Sequence, residues 1–319
     1  MSIVSPVYGC TQCLEALCRV VRESLDSSGI DWELVLVDDR GPDDPWPLIC
    51  ELARKDPRIR GVRLSRNHGQ HLAIWAGLAE AKGDWVAVMD CDLQDDPAVL
   101  PSLYKVALEQ QVDAVIVDRG SWSDSWFRRV ASRAFYRTID LLGGMSIRNA
   151  GNFGLYSRRM VDTLLKYEEQ EVFLPMMVAL TGLKSCTYEL DRSERAAGTS
   201  SYSFMRLLNL ASAMIVRFSD RPLKLSVIAG FALSIFSALI SFLLVVLWLF
   251  GNFTVPGWTS SVLSIWFLSG LIMATLGVHG FYIGRVFAEV KKRPRIIVEA
   301  TTNAQLLATR EVPNNHAAQ

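Results

Sequence analysis

The chain has 319 residues, half of them hydrophobic, with 33 basic and 33 acidic side chains and a formal net charge of zero. A balanced charge excludes a bulk electrostatic pull toward nucleic acid, so no nucleic-acid partner is expected and any cationic function must be local. The apolar residues are unevenly spread, and nearly all of the long apolar runs lie after residue 222.

In chain order, Ser2-Ile3-Val4-Ser5 reads as a short strand leading into Pro6, and Leu14 to Ser24 carries apolar residues at helical spacing. Trp32 to Val37 is a second strand and Ile59 to Leu64 a third. A helix is predicted over Leu72 to Ala81, a fourth strand over Trp85 to Met89, a helix over Ala98 to Gln110 and a strand over Ala114 to Val117. Strands alternating with helices predict an α/β fold with a mostly parallel sheet and right-handed crossovers. In such sheets ligands sit beyond the carboxyl ends of the strands. Pro6-Val7-Tyr8, Asp38-Asp39, Ser65-Arg66-Asn67 and Asp90-Cys91-Asp92 follow successive strands, so they are expected to meet at one crevice.

Leu225 to Phe250 carries no charged residue, and Val262 to Gly284 has no Asp, Glu, Lys or Arg and one histidine, His279. A bilayer core needs about 20 helical residues to cross, so residues 223–290 predict a transmembrane helical hairpin, with spans near 225–250 and 262–284. Arg221 and Lys224 precede the first span; Arg285, Lys291, Lys292, Arg293 and Arg295 end or follow the second. The positive-inside rule then places both outer ends in the cytoplasm. Residues 1–202, with no signal peptide ahead of the first strand, are expected to form a cytosolic domain. Residues 203–222 read as an amphipathic juxtamembrane helix region and 291–319 as a cytosolic polar tail. All six cysteines (10, 13, 18, 50, 91 and 186) fall in the first domain, where a reducing compartment argues for free thiols over disulfides. Cys10-Thr11-Gln12-Cys13 has redox-motif spacing without the context of such a site.

The stretch VMDCDLQDDP, Val88 to Pro97, holds the densest chemistry. Asp90 and Asp92, alternate residues with Cys91 turned inward, can offer hard oxygen ligands to one divalent cation and leave positions for phosphate oxygens. Asp95 and Asp96, beside Pro97, read as residues that start the next helix. Asp38-Asp39 stands open between turn residues before Gly41-Pro42 and ligand contacts. At Arg66-Asn67-His68-Gly69, backbone amides of a helix start can meet phosphate; His68 and His71 are either catalytic candidates or polar residues of the turn. Trp122 to Arg137 mixes aromatics with arginines and reads as an interfacial helix or as a solvated basic face.

PVY, LVDD, LSRNHGQHLAIWAGL, AKGDWVAVMDCDLQDDP and RAAGTSSYS, followed by two apolar spans, resemble the polyprenyl-phosphate glycosyltransferases of glycosyltransferase family two, relatives of dolichyl-phosphate mannose synthase. The resemblance runs from about residue 2 to residue 290. It implies an A-type, Rossmann-like glycosyltransferase fold and a nucleoside-diphosphate sugar donor, UDP- or GDP-linked. Asp90, Asp92 and Gln94 would hold Mg²⁺ or Mn²⁺ against the diphosphate, and Pro6, Tyr8, Asp38, Asp39 and Asn67 would line the nucleoside pocket. Arg195 and Ser200 would close over donor and metal. Arg119, Arg128 and Ser132 are candidates for the phosphate of a polyprenyl acceptor, undecaprenyl or dolichyl. Membrane lipids are then partners, the bacterial inner membrane is expected ahead of the endoplasmic reticulum, and homo-oligomers occur among relatives. The chain departs from its relatives at Gly9-Cys10, where Asn-Glu is common, at Asn152 and Gly154 within a block that is often GDFRL, and at Ser201, where Lys often stands. These departures point to a different sugar.

The chemistry agrees with the residues. A lipid monophosphate whose second pKa lies near 6 is already largely anionic at neutral pH, so an inverting displacement needs no strong general base. Metal and arginines would carry the rate. Two alternatives are direct extension of a lipid-linked glycan or polysaccharide, and a catalytically silent membrane adaptor.

Overall fold

The computed structural model describes residues 1–118, 151–170, 172–190, 221–250 and 257–302. The chain divides into two compact units: one of Met1–Ser123, Ile147–Arg195 and Arg293–Gln319, the other of Asp124–Ser146 and Ala196–Lys292.

The first unit is a sheet layered between helices. Its parallel centre is β1 (Ser2–Val7), β2 (Glu33–Asp38), β3 (Ile59–Leu64) and β4 (Trp85–Val88), joined by α1 (Leu14–Asp26), α2 (Trp46–Lys55) and α3 (Gln70–Glu80). After β4 come α4 (Leu100–Gln110), β5 (Ala114–Asp118), β6 (Gly154–Ser157), α5 (Arg158–Leu165), α6 (Leu174–Leu180) and β7 (Ser185–Glu189). β6 runs antiparallel to both β4 and β5, and β7 parallel to β5.

Both faces of the central strands are buried, which is why they read as continuous apolar runs. Ile3, Val7, Leu34 and Leu36 pack with Leu14, Leu17, Val21 and Leu25 of α1, Ile49 of α2 and Leu103 of α4. Val4, Val35, Val37 and Val88 face the other way, against Ile74 and Leu78 of α3, Met160 of α5 and Met177 of α6. Gly77 lets α3 lie directly on the sheet: a Cβ there would strike Val4 and come within 3.0 Å of Val37 Cγ2.

The structure adds elements that the sequence pattern does not predict. α2 follows Pro45 and itself contains Pro47 near its start. Most distant is β8 (Val298–Thr301), which lies in the segment expected to be a polar tail. It pairs antiparallel with β3 and completes the order β7-β5-β6-β4-β1-β2-β3-β8. The cause is tertiary: β3 would otherwise present an open edge, and a strand that covers it satisfies those backbone groups. The Thr302 hydroxyl accepts the Gly61 amide at 3.0 Å, and Arg295 donates to the carbonyls of Tyr167 and Glu169 at 2.6 and 2.8 Å.

The second unit holds two long helices, α7 (Arg221–Leu249) and α8 (Trp258–Val290). Within α8, Ser264–Val290 is long and apolar enough to cross a membrane, with a mean hydropathy of 1.5. Large apolar side chains stand exposed along both helices, among them Phe231 and Phe242 on α7 and Trp266 and Phe267 on α8. Apolar surface on that scale needs a non-aqueous neighbour. The amphipathic segment Ser203 to Ser219 and the link between the helices, residues 251–256, lie outside the described residues.

Gly77→Ala should destabilise the protein. The gain in helix propensity, about 1 kcal/mol, is smaller than an overpacking cost of about 3 kcal/mol, and a lowered thermal unfolding midpoint checks it.

Candidate active site

The β1–β4 ladder pairs Ser2 with Val86 and ends with Val4 opposite Val88, while β1 continues beside β2 as far as Val7 opposite Asp38. Pro6, which has no N–H to donate, stands just past the last β4 pair and is buried in β1. Beyond this point the loops after β1, β2, β3 and β4 are tied to one another.

Asp38 and Asp39 tie the β2 end to its neighbours. Asp38 is fully buried; its Oδ1 accepts the Arg40 amide at 2.9 Å and its Oδ2 lies 3.2 Å from Arg63 Nε. Burial pushes its carboxyl above the usual range, and the Arg40 amide and the Arg63 charge oppose that rise. Asp39, 2% exposed, accepts the His68 amide at 2.7 Å and the Gly69 amide at 2.9 Å. It too is raised by burial, against the pull of those amides. Both acids therefore hold backbone in place. Gly69, with φ at +89°, precedes α3, and the Asn67 side-chain oxygen Oδ1 also accepts its amide at 2.9 Å. α3 thus begins at Gln70, with the amides of its first turn at this edge of the sheet.

Asp43 supplies a tie that the sequence does not advertise. It accepts the amides of Gly9 and Thr11 at 3.2 and 2.8 Å and the Thr11 hydroxyl at 2.6 Å. Burial raises its carboxyl, but the Thr11 and Gly9 hydrogen bonds outweigh that and hold it below the usual range. Gly41 permits the approach, since a Cβ there would fall 2.8 Å from the Gly9 nitrogen. Tyr8 is left 55% exposed just past the end of β1.

After β4 the chain leaves the extended conformation, with Leu93 at φ +60°. Asp90 is half-buried, Asp92 and Gln94 are exposed, and Cys91 is buried. The Gln70 side-chain amide donates to Asp90 Oδ1 at 2.6 Å, and the Gln94 amide donates to Asp92 Oδ1 at 3.1 Å. Asp96 caps the turn Pro97–Val99 ahead of α4, as its place beside the proline predicts. Asp95 does otherwise: 2% exposed, it turns back and accepts the Asp90 amide at 3.1 Å. Its reading as a helix-start residue is corrected, because burial brings it to a backbone donor that must be satisfied.

The expectation of free thiols is corrected at two positions. Cys10 and Cys91 form a disulfide, with Cα atoms 6.6 Å apart. An argument from compartment cannot see that β1 and β4 are neighbours, which sets the loops after them side by side. Cys13, Cys18, Cys50 and Cys186 are not disulfide-bonded, and burial pushes the Cys18 thiol to about 12. His71 meets Phe173 edge to face at 4.9 Å, and burial lowers its pKa to about 4, so its imidazole is neutral at pH 7.

Among the described residues no group of three or more His, Cys, Asp or Glu side chains could hold a metal. Asp90 and Asp92 fit a hard divalent cation only if the ligand completes its shell, as diphosphate oxygens would. Arg119, Arg128, Ser132, Arg195 and Ser200 lie outside the described residues, as does the segment Trp122 to Arg137.

In an α/β sheet of this kind the acids at the strand ends stand where ligands bind. Residues 2–165 match the family described as Glycosyl transferase family 2, and the chain belongs to that family and is a glycosyltransferase. Over 306 residues it is 32% identical to the undecaprenyl-phosphate 4-deoxy-4-formamido-L-arabinose transferase of Proteus mirabilis (strain HI4320), covering 94% of this chain and 93% of that one. It is also 32% identical to the uncharacterized glycosyltransferase YkcC of Bacillus subtilis (strain 168), over 93% of each chain. A solved mannosyltransferase of Pyrobaculum calidifontis, in complex with GDP-Man and Mn²⁺, is 17% identical, with a TM-score of 0.42 over 59% of this chain and 54% of that one. That likeness is too slight to carry an argument.

Two outcomes follow from this geometry. Asp95→Ala leaves the Asp90 amide without its acceptor, at about 1–3 kcal/mol, and should lower the unfolding midpoint more than Asp96→Ala, whose lost cap costs about 1 kcal/mol. His71, depressed from 6.5 to about 4, contributes stability that is fully present above pH 6.5 and is lost as pH falls toward 4. His71→Phe should therefore lose less stability than the parent between pH 6.5 and 4, by up to about 3 kcal/mol, in unfolding midpoints measured across that window.

Proposed function

We propose that the protein is an inverting, metal-dependent glycosyltransferase that moves a sugar from a nucleoside-diphosphate donor to polyprenyl phosphate at the cytosolic face of a bacterial inner membrane. One observation carries the acceptor: a relative named as an undecaprenyl-phosphate transferase aligns with 94% of this chain, far more than its sheet unit alone. The exposed apolar surface of α7 and α8 supports a membrane hairpin that keeps the enzyme beside a lipid substrate.

In this reading the nucleobase stacks on Tyr8, in a pocket whose walls Asp38, Asp39 and Asp43 hold rigid. The diphosphate lies between the amide end of α3 and the Asp90–Gln94 loop. Mg²⁺ or Mn²⁺ bound by Asp90, Asp92 and Gln94 would offset the charge of the leaving diphosphate. Gln70 orients the Asp90 carboxylate. Arg119, Arg128 and Ser132 take the acceptor phosphate, and Arg195 and Ser200 close over the donor. A phosphate oxygen of the lipid attacks the anomeric carbon from the face opposite the leaving group. The new carbon–oxygen bond forms as the bond to the donor diphosphate breaks, and the configuration inverts.

Purified protein, polyprenyl phosphate and a panel of UDP- and GDP-sugars with Mn²⁺ or Mg²⁺ should yield a glycosylated lipid phosphate. Chelator should stop the reaction, and Asp92→Asn should lower turnover on the order of 100-fold with the unfolding midpoint unchanged. Sugar transfer that persists in chelator would overturn the metal role. Transfer to a glycan but not to the lipid phosphate would overturn the acceptor.

A further inference from the structure

The proposed chemistry uses the loops that contain Cys10 and Cys91 but gives neither cysteine a part. Cys10 lies two residues beyond Tyr8, and Cys91 lies between Asp90 and Asp92. The two are 81 residues apart in sequence, yet their sulfurs are bonded and the residues are 7% and 6% exposed. Each loop is also anchored on its own side. Asp43 takes the amides of Gly9 and Thr11, and Asp95 takes the amide of Asp90. The bridge thus adds a covalent tie directly between the loop that presents Tyr8 and the loop that presents the paired carboxylates. Cys13, partly exposed at the end of the turn Thr11–Cys13, stays outside the bridge although it completes the CxxC spacing.

We propose that Cys10 and Cys91 form a reversible thiol–disulfide site, oxidised by a low-molecular-weight disulfide and reduced by a thiol, whose bridge locks the Tyr8 loop to the Asp90–Asp92 loop and so tightens donor binding. The effect on the donor rests on the function proposed above; the bridge and the loop locking do not. In the oxidising direction a cysteine thiolate attacks the external disulfide R–S–S–R, giving a mixed disulfide and one released thiolate. The second cysteine sulfur then displaces the other. Two S–H bonds of the protein are exchanged for two R–SH, and one external S–S bond is replaced by Cys10–Cys91. Two electrons pass from the protein sulfurs to the external pair, and the two protons leave with the released thiols. In a compartment kept reducing, the lock closes only when the thiol poise shifts.

Full-length protein in detergent, isolated without reductant, should give a Cys10–Cys91 cross-linked peptide pair by mass spectrometry. Dithiothreitol should remove the pair and oxidised glutathione restore it. Hydrogen exchange should then be about threefold faster in residues 8–13 and 89–95 of the reduced protein, with β2 and β3 unchanged. Binding of UDP or GDP with Mn²⁺, read by calorimetry, should weaken about three- to tenfold on reduction. The double variant Cys10→Ser/Cys91→Ser should match the reduced protein under both conditions; should it fail to fold, Cys91→Ala serves the same purpose. Cysteines that oxidised glutathione does not cross-link, a Cys10–Cys13 bridge in place of Cys10–Cys91, or loop exchange indifferent to redox state would overturn the proposal. Should neither nucleotide bind in either state while the bridge still governs loop exchange, the donor reading fails and the loop lock stands.

Discussion

The site depends on the register of β1 between two parallel neighbours. Ser2 stands opposite Glu33 on one side and Val86 on the other, so β1, β2 and β4 deliver their last residues to one edge of the sheet. A slip of one residue would turn Ile3 and Val4 to the opposite faces, and both are fully buried. Each would then meet a core packed for a different side chain, at about 1–3 kcal/mol for each misfit, which makes the alternative registers costly. Pro6 then sets where pairing with β4 ends.

Burial also sorts the acids gathered at that edge. Asp38, Asp39 and Asp95 are withdrawn from solvent and accept backbone amides or face an arginine, whereas Asp92 is exposed and Asp90 partly so. Carboxylates of identical chemistry therefore divide into a scaffolding set and a solvent-facing set. Exposure separates them, and so does the need of each buried amide for an acceptor. Mutation of a scaffolding acid acts on the loop it holds.

Much of this is legible in the sequence. The strands from β1 to β5, with α1, α3 and α4, follow from apolar runs and helical spacing, and the acids at the strand ends follow from the topology those elements imply. What escaped detection was decided by tertiary partners. β6 and β8 are four-residue strands whose identity comes from the strand each one pairs with, and Val298-Glu299-Ala300-Thr301 has no pattern that separates it from a polar tail. Asp95 lies one residue from a helix-capping Asp, yet its direction is set by the Asp90 amide. The meeting of Cys10 with Cys91 required knowing that the first and fourth strands are adjacent.

β8 changes how this enzyme can be dissected. The sheet unit is built from chain on both sides of α7 and α8, because Arg40 at the end of β2 donates to Glu299, and Gly61 of β3 reaches Thr302. Cutting the gene ahead of the long helices would yield a fragment with β3 uncovered and Arg40 deprived of its carboxylate. A soluble catalytic fragment would instead need residues 293–302 returned to it, either as a separate peptide laid along β3 or spliced through a short linker in place of the helices.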